Sequence, residues 1–321
     1  MSLLITGLDS ITKDGTAANA MGGTELMREA LFNKLPPALL NQFQIISSRV
    51  RDINPDKQSI LWLHDLAQDP EAAHLVDPIE RAKFAKLVFV SHWQFNEFKN
   101  QLGVGHEESI VLPNAIEPFE DHTKPKDGKI NLIYHTTPHR GLELLVPAFD
   151  AVYKVRPNIH LNVYSSFSIY GWEQRDEPYK ELFDQCRDHP GITYHGARPN
   201  SEIREALKNT HIFAYPSIWQ ETSCIAAIEA MAAGCAVICP QYAALPETTA
   251  KFAIDYPWAE NPKTHADRFA NLLLLIVDQY WEEGHQNKLA LQSVYTNNFY
   301  NWGFRAQQWE GQLANLLEQR Q

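Results

Sequence analysis

The stretch WQETSCIAAIEAMAAGCAVICPQ, Trp219–Gln241, decides how this chain is read. Ile225–Ala233 has the composition of a packed helix, and Gly234 suits a helix C-terminus. Thr222 and Ser223 are good N-caps just upstream. AVICP then reads as a short strand that is apolar on both faces. IFAYPS, just before the stretch, reads as another. Strand, loop, capped helix and strand together make one turn of a parallel α/β sheet. Two acids need a chemical account. Glu229 sits among Ile, Ala and Met on the helix, and Glu221 stands just ahead of the cap.

The same alternation runs outward in both directions. LLITGL, FQIIS, SILWLHD, LVFVS and SIVLP read as strands in the first third. NLIYHT, IHLNVYS, ITYHG, IFAYPS, AVICP and FAID follow. Helical patterns between them cover 24–33, 78–85, 93–102, 143–155, 179–188, 201–208, 225–233 and 265–283. The alternation pauses at PNAIEPFEDHTKPKDGK, Pro113–Lys129, a polar and Pro-containing segment. We therefore expect a first Rossmann-like domain over 1–115, a linker over 116–128 and a second domain over 129–300. A terminal helix over 301–321, with Phe304, Trp309, Leu313, Leu316 and Leu317 at helical spacing, needs a face to pack on and is expected to cross back to the first domain. A length of 321 residues fits two domains.

Composition excludes several classes. The net charge is −11, and residues 1–115 carry 10 Lys+Arg against 14 Asp+Glu, so a phosphate-gripping basic face is missing. Nucleic-acid partners and docking on anionic lipid are not expected. MSLLITGLDS lacks the features of a signal peptide, and LLLLIV (Leu272–Val277) is far short of the ~20 residues that span a bilayer. A cytoplasmic protein with no integral membrane segment is the expectation. Cys186, Cys224, Cys235 and Cys239 read as reduced, buried thiols.

Doubly wound sheets bind ligands beyond the carboxyl ends of their strands, next to helix N-termini. The first amides of a helix lack partners and, with its dipole, favour an anion. Ser223 and Cys224 therefore read as a phosphate seat. The side chain of Glu229 leans back toward that helix start, and an acceptor-only carboxylate suits a pair of vicinal hydroxyls such as a ribose presents. Pairing with a buried Arg or Lys is the plain alternative for Glu229, and a solvated loop acid that for Glu221.

At this point PSIWQETSCIAAIEAMAAGCAVICPQYAALPE resembles the donor-binding segment of the retaining, GT-B-fold enzymes of glycosyltransferase family 4, the glycosyl transferases group 1. Their pattern has two glutamates with seven residues between them, then EAMAAG, a strand and LPE. The resemblance is strong over this segment and extends more weakly along the chain. It implies two Rossmann-like domains facing across a cleft. It also implies metal-free transfer of a hexose from a UDP- or GDP-sugar to an acceptor hydroxyl, on a saccharide or another molecule, with retention and no cofactor. By the resemblance Glu229 holds the ribose, Glu221 meets the donor sugar, and the Ser223–Cys224 amides meet the diphosphate. Thr222-Ser223-Cys224 stands where the family often has Gly-Phe-Gly, which bears on donor choice.

Other loops fit the same scheme. Arg140, in NLIYHTTPHRGLELL, takes the place of the family's Lys before Gly. A fixed cation there stabilises the charge that builds on a leaving diphosphate. A second basic residue of the family is replaced by His135-Thr136. Gly22 and Gly23 precede a helix and allow a close approach of ligand phosphate or acceptor. His64 ends a strand and resembles the histidine that contacts the donor sugar, with His92 a secondary candidate. By the same resemblance Arg198 lies on the loop that borders the nucleobase. His135 and His139 are four apart, but Pro138 and the loop argue against a metal pair. No Asp-x-Asp, Walker loop or Gly-x-Ser-x-Gly is present. Two other functions stay open on sequence: a nucleotide-sugar epimerase of the same architecture, and a non-catalytic nucleotide-sugar-binding protein.

Overall fold

A computed structural model of the chain describes residues 22–319. They form two compact units: one runs to Ala115 and resumes at Trp302, and the other is Ile116–Asn301. The expected strand LLITGL lies outside the described residues.

The first unit contains α1 (Gly23–Lys34), α2 (Pro37–Leu40), β1 (Phe43–Ser47), β2 (Gln58–Leu63), α3 (Pro78–Arg81), β3 (Lys86–Phe89), α4 (His92–Leu102) and β4 (Ser109–Val111). Its strands pair in parallel in the order β1-β2-β3-β4, with Ile46 opposite Leu61. The period of two along β2 separates its faces. Leu61 and Leu63 join Phe95 and Phe98 of α4 in one core cluster. Helix α3 is shorter than the expected 78–85. Arg81 is buried and donates to the Leu75, Val76 and Leu102 carbonyls, and the chain then turns so that Ala85 N–H pairs with Ser59 O.

The second unit contains β5 (Ile130–Tyr134), α5 (Leu142–Tyr153), β6 (Ile159–Val163), α6 (Lys180–Asp188), β7 (Ile192–Tyr194), α7 (Asn200–Lys208), β8 (Ile212–Ala214), α8 (Ile225–Ala232), β9 (Ala236–Gln241), α9 (Leu245–Thr248), β10 (Ile254–Pro257), α10 (Pro262–Gln279) and α11 (Glu283–Phe299). The all-parallel order is β10-β9-β8-β5-β6-β7. The winding direction reverses between the adjacent strands β5 and β8, so loops after these two strands diverge and leave a crevice. Helix α8 is almost wholly buried and ends where Gly234 adopts φ 72°. Side chains of α11 satisfy the carbonyls at that end. Gln292 donates to Cys235 O, Ser293 to Ala232 O, and Asn297 to Ala232 O.

Last comes α12 (Trp302–Glu318), which packs with the first unit. Trp309 is buried and meets Trp62, on the other face of β2 from Leu61, edge-on at 5.0 Å.

The expected linker 116–128 differs from expectation: it is packed on the second unit. Ile116 N–H pairs with Tyr300 O, Phe119 N–H with Asn297 Oδ1, and the Lys124 ammonium with Leu207 O. Its polar look comes from backbone and side-chain groups that find partners there. The helix expected over 265–283 ends at Gln279, and α11 follows without having been foreseen. No helix among the described residues is long and apolar enough to cross a membrane.

Candidate active site at the sheet switch point

The loops after β5 and β8 come together at the point where the winding reverses. Tyr134 ends β5, and the chain turns through Thr137-Pro138-His139-Arg140 into Gly141, with φ 126°. A side chain at 141 would place its first carbon 2.3 Å from the carbonyl oxygen of Pro216, so glycine is the residue that lets the two loops touch. The contact is held by Ile218 N–H donating to Arg140 O at 3.2 Å.

This approach joins Arg140 to Glu221, 81 positions apart. Arg140 Nη1 donates to Glu221 Oε1 at 2.5 Å. The Tyr215 hydroxyl donates to the same oxygen. Glu221 is 5% exposed. Among the described residues nothing bonds its other oxygen, Oε2. Burial works against the charge of Arg140, but Glu221, Tyr215 and Tyr170 together hold its pKa well above the ordinary value. Burial and then Glu221 push the Tyr215 hydroxyl far up as well, so it stays a donor. The guanidinium also lies 5.8 Å from the half-exposed ring of Trp219.

Five polar atoms of the β5–α5 loop are buried with no hydrogen-bond partner: His135 Nε2, Thr136 Oγ1, Thr137 Oγ1, His139 Nδ1 and Arg140 Nε. Buried polar atoms are nearly always bonded, so such a group in one loop marks a place where a ligand brings the partners. The His139 ring stacks on Phe167 at 5.1 Å and meets Trp219 edge-on at 4.7 Å. Burial, then Arg140 and Arg175, lower its pKa to about 4, so it is neutral at physiological pH.

Helix α8 starts at Ile225, as expected, but with a different cap. Its N-cap is Cys224, not Thr222 or Ser223, and no side chain caps the first turn. The Glu221 carbonyl accepts from Ala244 N–H, the chain bends at Thr222 and Ser223, and Cys224 is extended just before the helix. Ser223 and Cys224 are buried at its start. One turn further in, Glu229 is 5% exposed and accepts from Asn200 Nδ2 at 3.1 and 3.0 Å and from Arg204 Nη1 at 3.1 Å. Burial raises its pKa, opposed by Arg204 and Asn200. The plain alternative, pairing with a buried base, is thus part of what the geometry holds. Arg204 also donates to the carbonyls of Glu117 and Pro118 and lies 3.9 Å over the Phe119 ring.

Arg198 is half-exposed before α7, with Glu202 3.9 Å away. Gly22 is the N-cap of α1 and Gly23 its first residue, again with no side-chain cap. His64 belongs to the first unit. Its N–H donates to Ser48 Oγ, and its ring packs 4.6 Å from Trp62. Burial lowers its pKa to about 3. Gln94, the buried second residue after His92 in α4, braces that loop by donating to the Leu63 and Asp65 carbonyls. Sequence reasoning missed Tyr215, Asn200 and Arg204. Asn200 and Arg204 are i,i+4 on one helix, and that spacing is a usable signal for a shared carboxylate partner. Among the described residues no three His, Cys, Asp or Glu side chains group as metal ligands would.

The strand order defines a Rossmann-like α/β protein, and the candidate site residues gather in the loops after β5 and β8, where that order reverses. The chain belongs to the glycosyl transferases group 1 family, whose model matches residues 115–290, and is thereby a glycosyltransferase. It is 23% identical over 283 residues to lipopolysaccharide 1,2-N-acetylglucosaminetransferase of Salmonella typhimurium, covering 84% of this chain and 70% of that protein. Among solved structures it resembles a glycosyltransferase of Rickettsia africae (TM-score 0.68, 15% identity, 92% of this chain and 81% of that one). It also resembles the pneumococcal O-GlcNAc transferase GtfA in complex with UDP and GlcNAc (TM-score 0.65, 12% identity, 82% of this chain). This chain spans only 53% of the pneumococcal enzyme. HepE of Anabaena, in complex with UDP and glucose, gives a TM-score of 0.63 at 15% identity over 81% of this chain and 72% of that one. These likenesses assign the fold as GT-B, α/β with two Rossmann-like parts.

Proposed function

We propose that the chain is a retaining glycosyltransferase of family 4 that moves a hexose from a nucleotide-diphosphate sugar to an acceptor hydroxyl without a metal ion. UDP- and GDP-sugars are the candidate donors. UDP is favoured because the pneumococcal and Anabaena structures are complexes with UDP. The observation that carries the reading is the Arg140–Glu221 pair at the switch point, with an unpartnered Arg140 Nε–H beside it.

The chemistry follows from that geometry. As the glycosidic bond to the diphosphate breaks, negative charge grows on the leaving oxygens. Arg140 is already oriented by Glu221 through Nη1 and keeps its Nε–H for a phosphate oxygen, so little reorganisation accompanies the charge. The uncapped start of α8, at Ser223 and Cys224, supplies amides and a favourable dipole for the same group. Glu229, aligned by Asn200 and Arg204, accepts from the ribose hydroxyls. Glu221 offers Oε2 to a hydroxyl of the donor sugar. In this reading the acceptor attacks from the face the diphosphate leaves. Arg198 borders the base, and Thr222 shapes donor choice. His64 and the Gly22–Gly23 turn are the first unit's candidates for sugar and phosphate contact.

The test is donor binding and turnover. Thermal shifts with UDP, GDP and ADP sugars identify the base, since ligand at a hundredfold excess over Kd adds about 2.7 kcal/mol. Incubation with the stabilising donor then yields free sugar slowly, and transfer when saccharides are added. An isomeric nucleotide sugar as product supports an epimerase instead. Binding without turnover supports a non-catalytic protein. A Glu229→Ala variant that binds UDP as tightly as wild type removes the ribose assignment.

A further inference from the structure

Glu221 receives two donors on one oxygen. Arg140 Nη1 and the Tyr215 hydroxyl both end on Oε1, while no described residue bonds Oε2. The Tyr215 ring is fully buried, stacked on Phe213 at 5.1 Å and 6.1 Å from Tyr134. It has no freedom to follow the carboxylate. Arg140 alone would leave the carboxylate free to turn about its bond to the guanidinium. A second, rigid donor from a different direction removes that freedom, because charge-assisted bonds are strong and directional.

We propose that Tyr215 is a positioning residue for the transfer, holding the Glu221 carboxylate so that Oε2 alone points to the donor sugar. The proposal rests on the reading of Glu221 as the sugar-contacting acid. Tyr215 acts through Glu221 and touches no substrate atom. Its loss therefore affects the sugar-bearing donor and spares the bare nucleotide, which lacks the group that Glu221 meets. A ring needed only for packing would affect both alike.

The experiment compares wild type, Tyr215→Phe, Glu221→Gln and the double variant. Phe keeps the ring in its stack and removes only the hydroxyl. Each protein is measured for Tm, for affinity toward UDP by calorimetry, and for kcat and KM in UDP-glucose and UDP-N-acetylglucosamine turnover. Tyr215→Phe is expected to keep its Tm within a few degrees and its UDP Kd within about twofold, while kcat/KM for the sugar donor falls roughly ten- to hundredfold. In the Glu221→Gln background the same change is expected to add less than about twofold, because the two residues act as one unit. Turnover by Tyr215→Phe within twofold of wild type overturns the proposal. An equal loss of UDP affinity and turnover overturns it too, as does an undiminished effect in the Glu221→Gln background. Wild type that turns over no UDP- or GDP-sugar overturns the reading of the whole site, and is told apart by failing before any variant is compared.

Discussion

Replacing Gly141 by alanine tests whether contact between the two loops builds the site. Two costs arise together. At φ 126° an L side chain is strained, by about 1–3 kcal/mol. The new carbon would also lie 2.3 Å from Pro216 O, so the loops must part by about 1 Å to reach ordinary contact. Such overpacking costs a further ~1–3 kcal/mol. A total near 3 kcal/mol lowers the Tm of a unit of this size by roughly 6–12 °C. The same 1 Å lies between Arg140 and Glu221, and displacement on that scale costs up to about a hundredfold in rate. Gly191→Ala is the control. Its added carbon meets the Tyr153 ring at 2.5 Å, but that ring is only partly buried and can swing, so about 1 kcal/mol is expected and turnover stays unchanged. The assays are urea and thermal unfolding with nucleotide-sugar turnover. A Gly141→Ala protein that melts within 2 °C of wild type and turns over donor within about twofold of it refutes the argument.

Arg204→Ala leaves Glu229 with Asn200 as its remaining partner. A loss of about 3 kcal/mol in urea unfolding is expected, with partial recovery in Arg204→Ala/Glu229→Gln, where no buried charge is left unpaired. His64 carries a pH dependence whose sign is fixed. Its pKa falls from 6.5 to about 3 on folding, so the unfolded chain binds the extra proton first and stability drops as pH falls below 6.5. Between pH 7.5 and 5, wild type is expected to lose about 2 kcal/mol more than His64→Gln, and equal losses refute it. Trp309→Ala is expected to cost about 3–5 kcal/mol by emptying the space against Trp62. Denaturant unfolding checks this, and a loss under 1 kcal/mol means that α12 does not build that core.

Each described strand, β1 to β10, overlaps a run that the sequence marks, because strands of a parallel sheet covered on both faces are short and largely apolar. Helix α11 escaped for the opposite reason. Its buried positions include Gln292 and Thr296, so it has no apolar stripe to detect. Gln292 faces inward because it donates to the Met231 and Cys235 carbonyls at the end of α8, while the Thr296 hydroxyl bonds back to Gln292 O. The segment 116–128 misled similarly: polar composition suggested a linker between domains, whereas its Glu117 and Pro118 carbonyls accept from Arg204 of the second unit. At the site, the candidate acids and Arg140 were visible from residue type and position after strands. Their pairing was not, since partners 81 and 25 positions apart meet only through sheet topology.

That distinction bears on how a cation can serve a leaving diphosphate. Arg140 read alone is a loop arginine, and Glu221 a loop acid. Brought together at the β5/β8 reversal, each fixes the other. Tyr215 and the close approach at Gly141 add two further constraints. A lone guanidinium on a mobile loop would have to be ordered as charge develops, and that cost would fall on the transition state. Here the ordering is completed in folding, by burial of Glu221 and by the turn that only glycine allows. In the proposed function, the unpartnered Arg140 Nε–H is the donor that this arrangement leaves for the leaving diphosphate.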